Sequence, residues 1–342
     1  MTPVIDGHND VLARAFENPE FDFLTGEGAW HLDLDGALEA GFAGGLFAIF
    51  VPPSEAEKKR SRSFGEGLST PGTVPSDRAR RIAGAMFSRL TRYAERSAGR
   101  LRIARTAAEL EAALSGGFVA AMPHMEGAEA IDRRLQSLDL FYEAGLRSLG
   151  IVWSRTNRFG TGVPIASGHS PDLGPGLTRA GRELVRRCNE LGILIDLSHL
   201  NAKGFRDVAR LSRAPLVATH SNAWGLSNSP RNLTDDQLAA VRDSDGLVGL
   251  NFGTPFLRAD GGQQEDTPLS RMREHVEYLA ERVGIERVGF GSDFDGVVIP
   301  KELGGVRGLP RLIDHLRDAG FGEEEISKLA HENWLRVLGQ TL

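Results

Sequence analysis

Acids and histidines in this chain fall where short apolar runs end. The run at residues 4–5 leads into Asp6-Gly7-His8-Asn9-Asp10, and residues two apart on an extended strand point the same way, so His8 and Asp10 address one point. Later runs lead into His124-Met125-Glu126, Asp196-Leu197-Ser198-His199, Thr219-His220-Ser221-Asn222 and Ser292-Asp293-Phe294-Asp295. Each alone fits a cap or a hydrogen-bonded loop residue. Gathered together, His8, Asp10, Glu126, His199, His220 and Asp293 would crowd three acids into a small volume, where they cannot all stay ionised without a cation. A single catalytic zinc takes three protein ligands, whereas five suit two ions that share a bridging carboxylate and a hydroxide. The imidazole share favours zinc or a similar transition metal over magnesium or calcium. The five lysines are Lys58, Lys59, Lys203, Lys301 and Lys328. Lys58 and Lys59 fall in the insertion after the second run and none lies between the third and fifth runs, so Glu126 rather than a carboxylated lysine is the expected bridge. Asp293, outside the ligand count, is placed to carry a proton.

Distant side chains meet only if the fold brings them together. Eight apolar runs rich in β-branched and aromatic residues span 4–5, 45–51, 118–122, 148–153, 192–197, 216–219, 247–252 and 287–291. Strands buried on both faces read this way. Helical spacing lies between most of them and is clearest at 178–191, where Leu184, Val185, Cys188 and Leu191 share a face and Gly192 can cap the end. Alternating strand and helix predicts an α/β fold with a parallel sheet. Eight repeats predict a closed (β/α)8 TIM barrel, one domain over residues 1–342 with loop insertions near 52–76, 154–176 and 258–268. An open doubly wound sheet is the competing arrangement. In a barrel all strand C-termini converge on one mouth, which would assemble the acid and histidine cluster.

Composition removes several classes of function. Forty Lys and Arg against 46 Asp and Glu give a net charge of −6, which supplies no field for gripping nucleic acid. No run approaches the roughly 18 to 20 apolar residues that span a bilayer. No secretory signal is visible at the N-terminus, and a soluble cytoplasmic protein is expected. The lone Cys188 excludes an internal disulfide framework and a Cys-rich zinc module. The basic run Lys58, Lys59, Arg60, Arg62 reads as a solvated loop.

Together these motifs resemble the membrane (renal) dipeptidases and their bacterial relatives, peptidase family M19, a branch of the amidohydrolase superfamily. The likeness is carried by Asp6-Gly7-His8-Asn9-Asp10, Glu126-Gly127, Asp196-Leu197-Ser198-His199, Thr219-His220-Ser221, Ser229-Pro230-Arg231-Asn232 and Gly289-Phe290-Gly291-Ser292-Asp293-Phe294-Asp295-Gly296, and it runs to Asn333-Trp334-Leu335-Arg336-Val337. It implies that His8 and Asp10 bind one zinc, that His199 and His220 bind the other, and that Glu126 bridges. It implies further that Arg231 clamps the free carboxylate of a dipeptide and that Asp293 handles the proton. A planar guanidinium suits such a carboxylate. The implied protein is a zinc-dependent dipeptidase that works through a metal-bridging hydroxide and accepts a D-residue at the C-terminal position, with a homodimer as the family's habit. A related amidohydrolase acting on N-acyl amino acids or lactams is the alternative.

The family pattern breaks after the fourth strand. Mammalian members carry a histidine there that polarises the substrate carbonyl, whereas this chain has Trp153-Ser154-Arg155-Thr156-Asn157. Trp153 cannot take that role, so Arg155 and Asn157 are the expected replacement donors. His124, on the strand face of Glu126, is a further candidate.

Overall fold

The structure, a computed structural model, describes residues 1–26, 30–65 and 67–342. Eight parallel strands close on themselves: β1 (Val4–Asn9), β2 (Phe42–Phe50), β3 (Val119–Glu126), β4 (Ser148–Gly150), β5 (Leu194–Asp196), β6 (Val217–Ala218), β7 (Leu247–Leu250) and β8 (Val288–Phe290). Each pairs with the next, and β8 returns to β1 with Phe290 opposite Asp6. Each overlaps one of the eight apolar runs, so the (β/α)8 barrel expected from the sequence is the fold. Every strand residue except Phe50 is buried, which is why the runs are apolar without alternation.

The principal helices are α1 (Val11–Glu17), α2 (Ser76–Arg96), α3 (Gln136–Ala144), α4 (Arg179–Leu191), α5 (Ala202–Leu211), α6 (Asp235–Asp243), α7 (Ser270–Val283), α8 (Leu309–Asp318) and α9 (Asn333–Thr341). Local chemistry sets their ends. The Thr178 hydroxyl accepts from the Gly181 N–H at the start of α4, and Gly192 takes the left-handed conformation (φ 67°) at its end. Thr234 and Gln237 cap each other's backbone N–H groups at the start of α6. No helix among the described residues is long and apolar enough to cross a membrane.

Two apolar layers hold the barrel. The outer one fills the space between strands and helices. The inner one gathers Ile5, Leu46, Met122, Leu194, Val217 and Leu247 around Trp334, which enters from α9 and is fully buried. The indole N–H donates to the Phe290 carbonyl at 2.9 Å. Gly7 makes the room, because a Cβ there would overlap the indole ring.

Two features outrun the sequence reading. The insertion near 52–76, of which residue 66 lies outside the described residues, holds an antiparallel hairpin, Arg62–Gly65 against Leu68–Thr70. A ninth parallel strand, Leu101–Ile103, pairs with Val119 to Ala121 of β3, while β4 takes the stretch from His124 to Glu126. These strands are three or four residues long and only partly buried, so none carries the apolar signature of a barrel strand.

Candidate metal centre

Five strand ends deliver the expected cluster. His8 lies in β1 and Asp10 at the start of α1; Glu126 closes β3; His199 and His220 follow β5 and β6; Asp293 follows β8. All six are buried. His199 (φ 66°) and Asp293 (φ 58°) sit in the left-handed region, a strain of about 1–2 kcal/mol for an ordinary residue. Gly296 is required beside them, because a Cβ there would collide with carboxylate oxygens of Asp10 and Asp293.

Glu126 stands between two sets of donors. Its Oε2 lies 3.9 Å from His8 Nε2, which is 3.4 Å from Asp10 Oδ2. Its Oε1 lies 2.8 Å from His199 Nε2 and 3.8 Å from His220 Nε2. The two rings on that side are aimed from behind: Ser154 Oγ is 2.8 Å from His199 Nδ1, and Thr219 Oγ1 is 2.8 Å from His220 Nδ1. This leaves both Nε2 atoms for a shared target 3.0 Å apart. Neither ring nitrogen of His8 has a hydrogen-bond partner, nor has Asp10 Oδ1, although all are buried. Such orphaned donors are what a cation would satisfy.

Electrostatics agree with that reading. Burial, reinforced by Asp10, pushes the Glu126 carboxyl well above its ordinary range. Burial disfavours charge on His8, but Glu126 and Asp10 outweigh it and push the imidazole up to about 10. Burial, with the charges of Arg231 and His8, holds His199 and His220 well below the usual imidazole range, in the neutral form that binds metal. Asp293 is pushed up to about 6 by burial, with Asp10 adding to the rise. Its Oδ2 accepts from the Asn251 amide at 2.7 Å. Burial thus works against charge on two of these carboxyls, Glu126 and Asp293, a cost that a bound cation would offset. The donor set fits divalent metal.

Beneath the cluster, polar side chains fasten strands rather than face the opening. Asp6 takes the Ser292 N–H at 2.6 Å and its hydroxyl at 2.8 Å, tying β8 to β1. Asp196 Oδ1 takes the N–H groups of Ser198 and Thr219, both at 2.9 Å, which shapes the turn from which His199 leaves. His124 belongs to this layer: its Nδ1 is 2.8 Å from Ser148 Oγ, and its Nε2 is 3.7 Å from Asp196 Oδ2. Arg231 is buried beside it all, donating to the His220 carbonyl at 3.2 Å, with its guanidinium 5.3 Å from the Phe256 ring.

A family model for membrane dipeptidase, peptidase family M19, matches residues 1–342. The chain belongs to this family. A metallo peptidase from Rhodobacter sphaeroides, solved with a phosphinate mimic of the dipeptide L-Ala-D-Ala, is 49% identical with a TM-score of 0.94, covering 100% of this chain and 99% of that one. The dipeptidase AC, a metallo peptidase of M19, is 48% identical with a TM-score of 0.93 over 99% and 98% of the two chains. An uncharacterized Klebsiella pneumoniae protein encoded in the pqqA 5′ region is 51% identical over 242 residues, 71% of this chain and 89% of that protein. This chain is thus an M19 metallo-dipeptidase.

Above the acid and histidine cluster of this dipeptidase lies a cleft of about 480 Å³. It is lined by Asp10, Glu126, His199 and Asp293 of the cluster, by the polar side chains of Arg14, His31 and Asp295, and by the apolar ones of Phe50, Trp153, Ile165 and Phe256. Arg155 and Asn157, expected as donors to the substrate, are not among its lining residues, and neither is Arg231, the expected carboxylate clamp. Arg155 Nε donates to Glu129 Oε1 at 2.8 Å and Nη2 to the Val51 carbonyl at 2.7 Å. Asn157 donates to the Ile151 carbonyl and accepts from the Phe159 and Gly160 N–H groups. Both hold the loop after β4 in shape. Asn251, Ser154 and Thr219 are supporting residues that the sequence reading did not single out. Asn251 carried a signal, an amide interrupting the apolar run 247–252; Ser154 carried none, because its partner is 45 residues away.

Proposed function

We propose that this chain is a zinc dipeptidase with a two-ion centre, in which His8 and Asp10 hold one ion, His199 and His220 hold the other, and Glu126 is shared. The observation that carries this is the Glu126 carboxylate, one oxygen toward each donor set. Bound divalent ions would supply a Lewis acid for the scissile carbonyl and a water of lowered pKa for attack. Asp293 takes a proton at Oδ1, since Asn251 occupies Oδ2, and returns it to the leaving amine. A carboxyl pushed up to about 6 is matched to exchange near neutrality. Arg231, whose buried Nε has no partner, clamps the terminal carboxylate of the substrate and so fixes its length. A D-residue at that end is accepted, in keeping with the mimic bound to the Rhodobacter relative. The reaction is assigned to residues 1–342 acting as one barrel domain.

The test is a panel of L-Ala-D-Ala, L-Ala-L-Ala, an Ala tetrapeptide and N-acetyl-D-Ala with the zinc-loaded protein. Free dipeptides are expected to exceed the tetrapeptide in kcat/KM by about 100-fold or more, the worth of a buried bidentate contact. Equal values for dipeptide and tetrapeptide, or N-acetyl-D-Ala as the best substrate, would overturn the assignment.

A further inference from the structure

The wall of the cleft beside His199 has no role in the chemistry above. Phe50, at the end of β2, and Trp153, just beyond β4, line the cleft with ring centroids 5.0 Å apart, and the Trp153 ring is 6.0 Å from that of His199. Ile165 lines the same cleft with half of its surface exposed. Among the described residues only Met1 and Leu140 are other large apolar side chains left so open, and an apolar group exposed at the mouth of a site is a mark of an apolar ligand.

This wall is backed rigidly. Arg155 is fully buried behind it, with its guanidinium carbon 5.2 Å from the Trp153 ring and 5.6 Å from the Phe50 ring. The buried Glu129 carboxylate and the Val51 carbonyl fix that guanidinium from the other side. A desolvated cation against two aromatic faces holds both rings in place. Arg155 is therefore a positioning residue for the wall.

Order around the barrel says which part of a substrate meets it. β2 and β4 flank β3, and β7 lies across the ring from β3. Phe256, just beyond β7, carries the Arg231 guanidinium. With the terminal carboxylate at Arg231, the C-terminal residue of a dipeptide lies toward β6 and β7 and its N-terminal residue toward β2 and β4. We infer that Phe50, Trp153 and Ile165 form the pocket for the side chain of the N-terminal residue and select large apolar or aromatic side chains there. This rests on the dipeptidase reading above. Trp153 is then a specificity-determining residue at the position where mammalian relatives have a histidine.

The experiment compares kcat/KM of the zinc-loaded protein for L-Phe-D-Ala, L-Leu-D-Ala, L-Ala-D-Ala and L-Ala-D-Phe. The ratio of L-Phe-D-Ala to L-Ala-D-Ala is expected to be about 10 to 100, the range for a side chain filling an apolar pocket. Trp153→Ala is expected to cut that ratio about tenfold, and Trp153→Phe to keep at least half of it. Phe50→Ala, on a different strand, is expected to lower the same ratio, so failure of one variant to fold leaves the test intact. A ratio near 1 in the unmodified protein, a ratio unchanged in folded Trp153→Ala and Phe50→Ala, or a bulk preference that appears only for L-Ala-D-Phe overturns the pocket while dipeptide hydrolysis stands. No hydrolysis of any of the four overturns the dipeptidase reading and the pocket with it.

Discussion

At the lower interior of the barrel, Trp334 is fully buried, its one polar atom is bonded to the Phe290 carbonyl, and its neighbours are aliphatic. At the mouth, buried side chains leave both ring nitrogens of His8 and Oδ1 of Asp10 without partners, and three residues there, His199, Asp293 and Asp295, take strained backbone conformations. The same eight strands carry both arrangements. Stability resides where polar atoms are few and satisfied; chemistry resides where burial has been imposed on groups that want charge. Replacing a side chain in one region should therefore spare what the other provides.

The sharpest break of that contrast comes from Glu126 and Trp334 tested together. Glu126→Gln keeps the shape and removes the charge of the proposed bridge. It is expected to lower kcat/KM on L-Ala-D-Ala by at least about 10³-fold, while the metal-free protein unfolds within a few degrees of the unmodified one. Trp334→Ala should do the reverse. It is expected to cost about 3–5 kcal/mol of unfolding free energy in a denaturant titration, while activity per folded molecule stays within about tenfold. A Glu126 variant that unfolds, or a Trp334 variant that is stable and inactive, would erase the division between mouth and interior.

A smaller effect sharpens the account of the mouth. The Asn251 amide stabilises the ionised Asp293 carboxylate, so Asn251→Ala should raise the Asp293 pKa from about 6. A base must be deprotonated to act, and a higher pKa removes activity first at low pH. The kcat/KM at pH 6 relative to that at pH 8 should fall several-fold in the variant. An unchanged pH profile would take Asp293 out of the proton transfer.

What the sequence could reveal follows the same division. Barrel strands are legible because burial on both faces forces an unbroken apolar run, and the clustering of acids and histidines is legible because its members stand at or just beyond the ends of such runs. The hairpin of the insertion and the strand Leu101–Ile103 lack that pressure and left no trace. Arg155 and Asn157 illustrate the limit. In sequence, an arginine and an asparagine in a loop after a barrel strand read as donors aimed at substrate. Their direction is set by tertiary partners instead, Glu129 lying 26 residues from Arg155. Trp153 shows the converse: the departure from the family pattern was visible, but its meaning needed Phe50 and the cation behind it.

The most direct test is a crystal structure of the zinc-loaded protein with anomalous diffraction collected at the zinc edge. Two peaks per chain are expected, one beside His8 and Asp10 and one beside His199 and His220, with the Glu126 carboxylate touching both. A single peak, or two peaks without Glu126 between them, would contradict the shared-carboxylate centre on which the proposed chemistry stands.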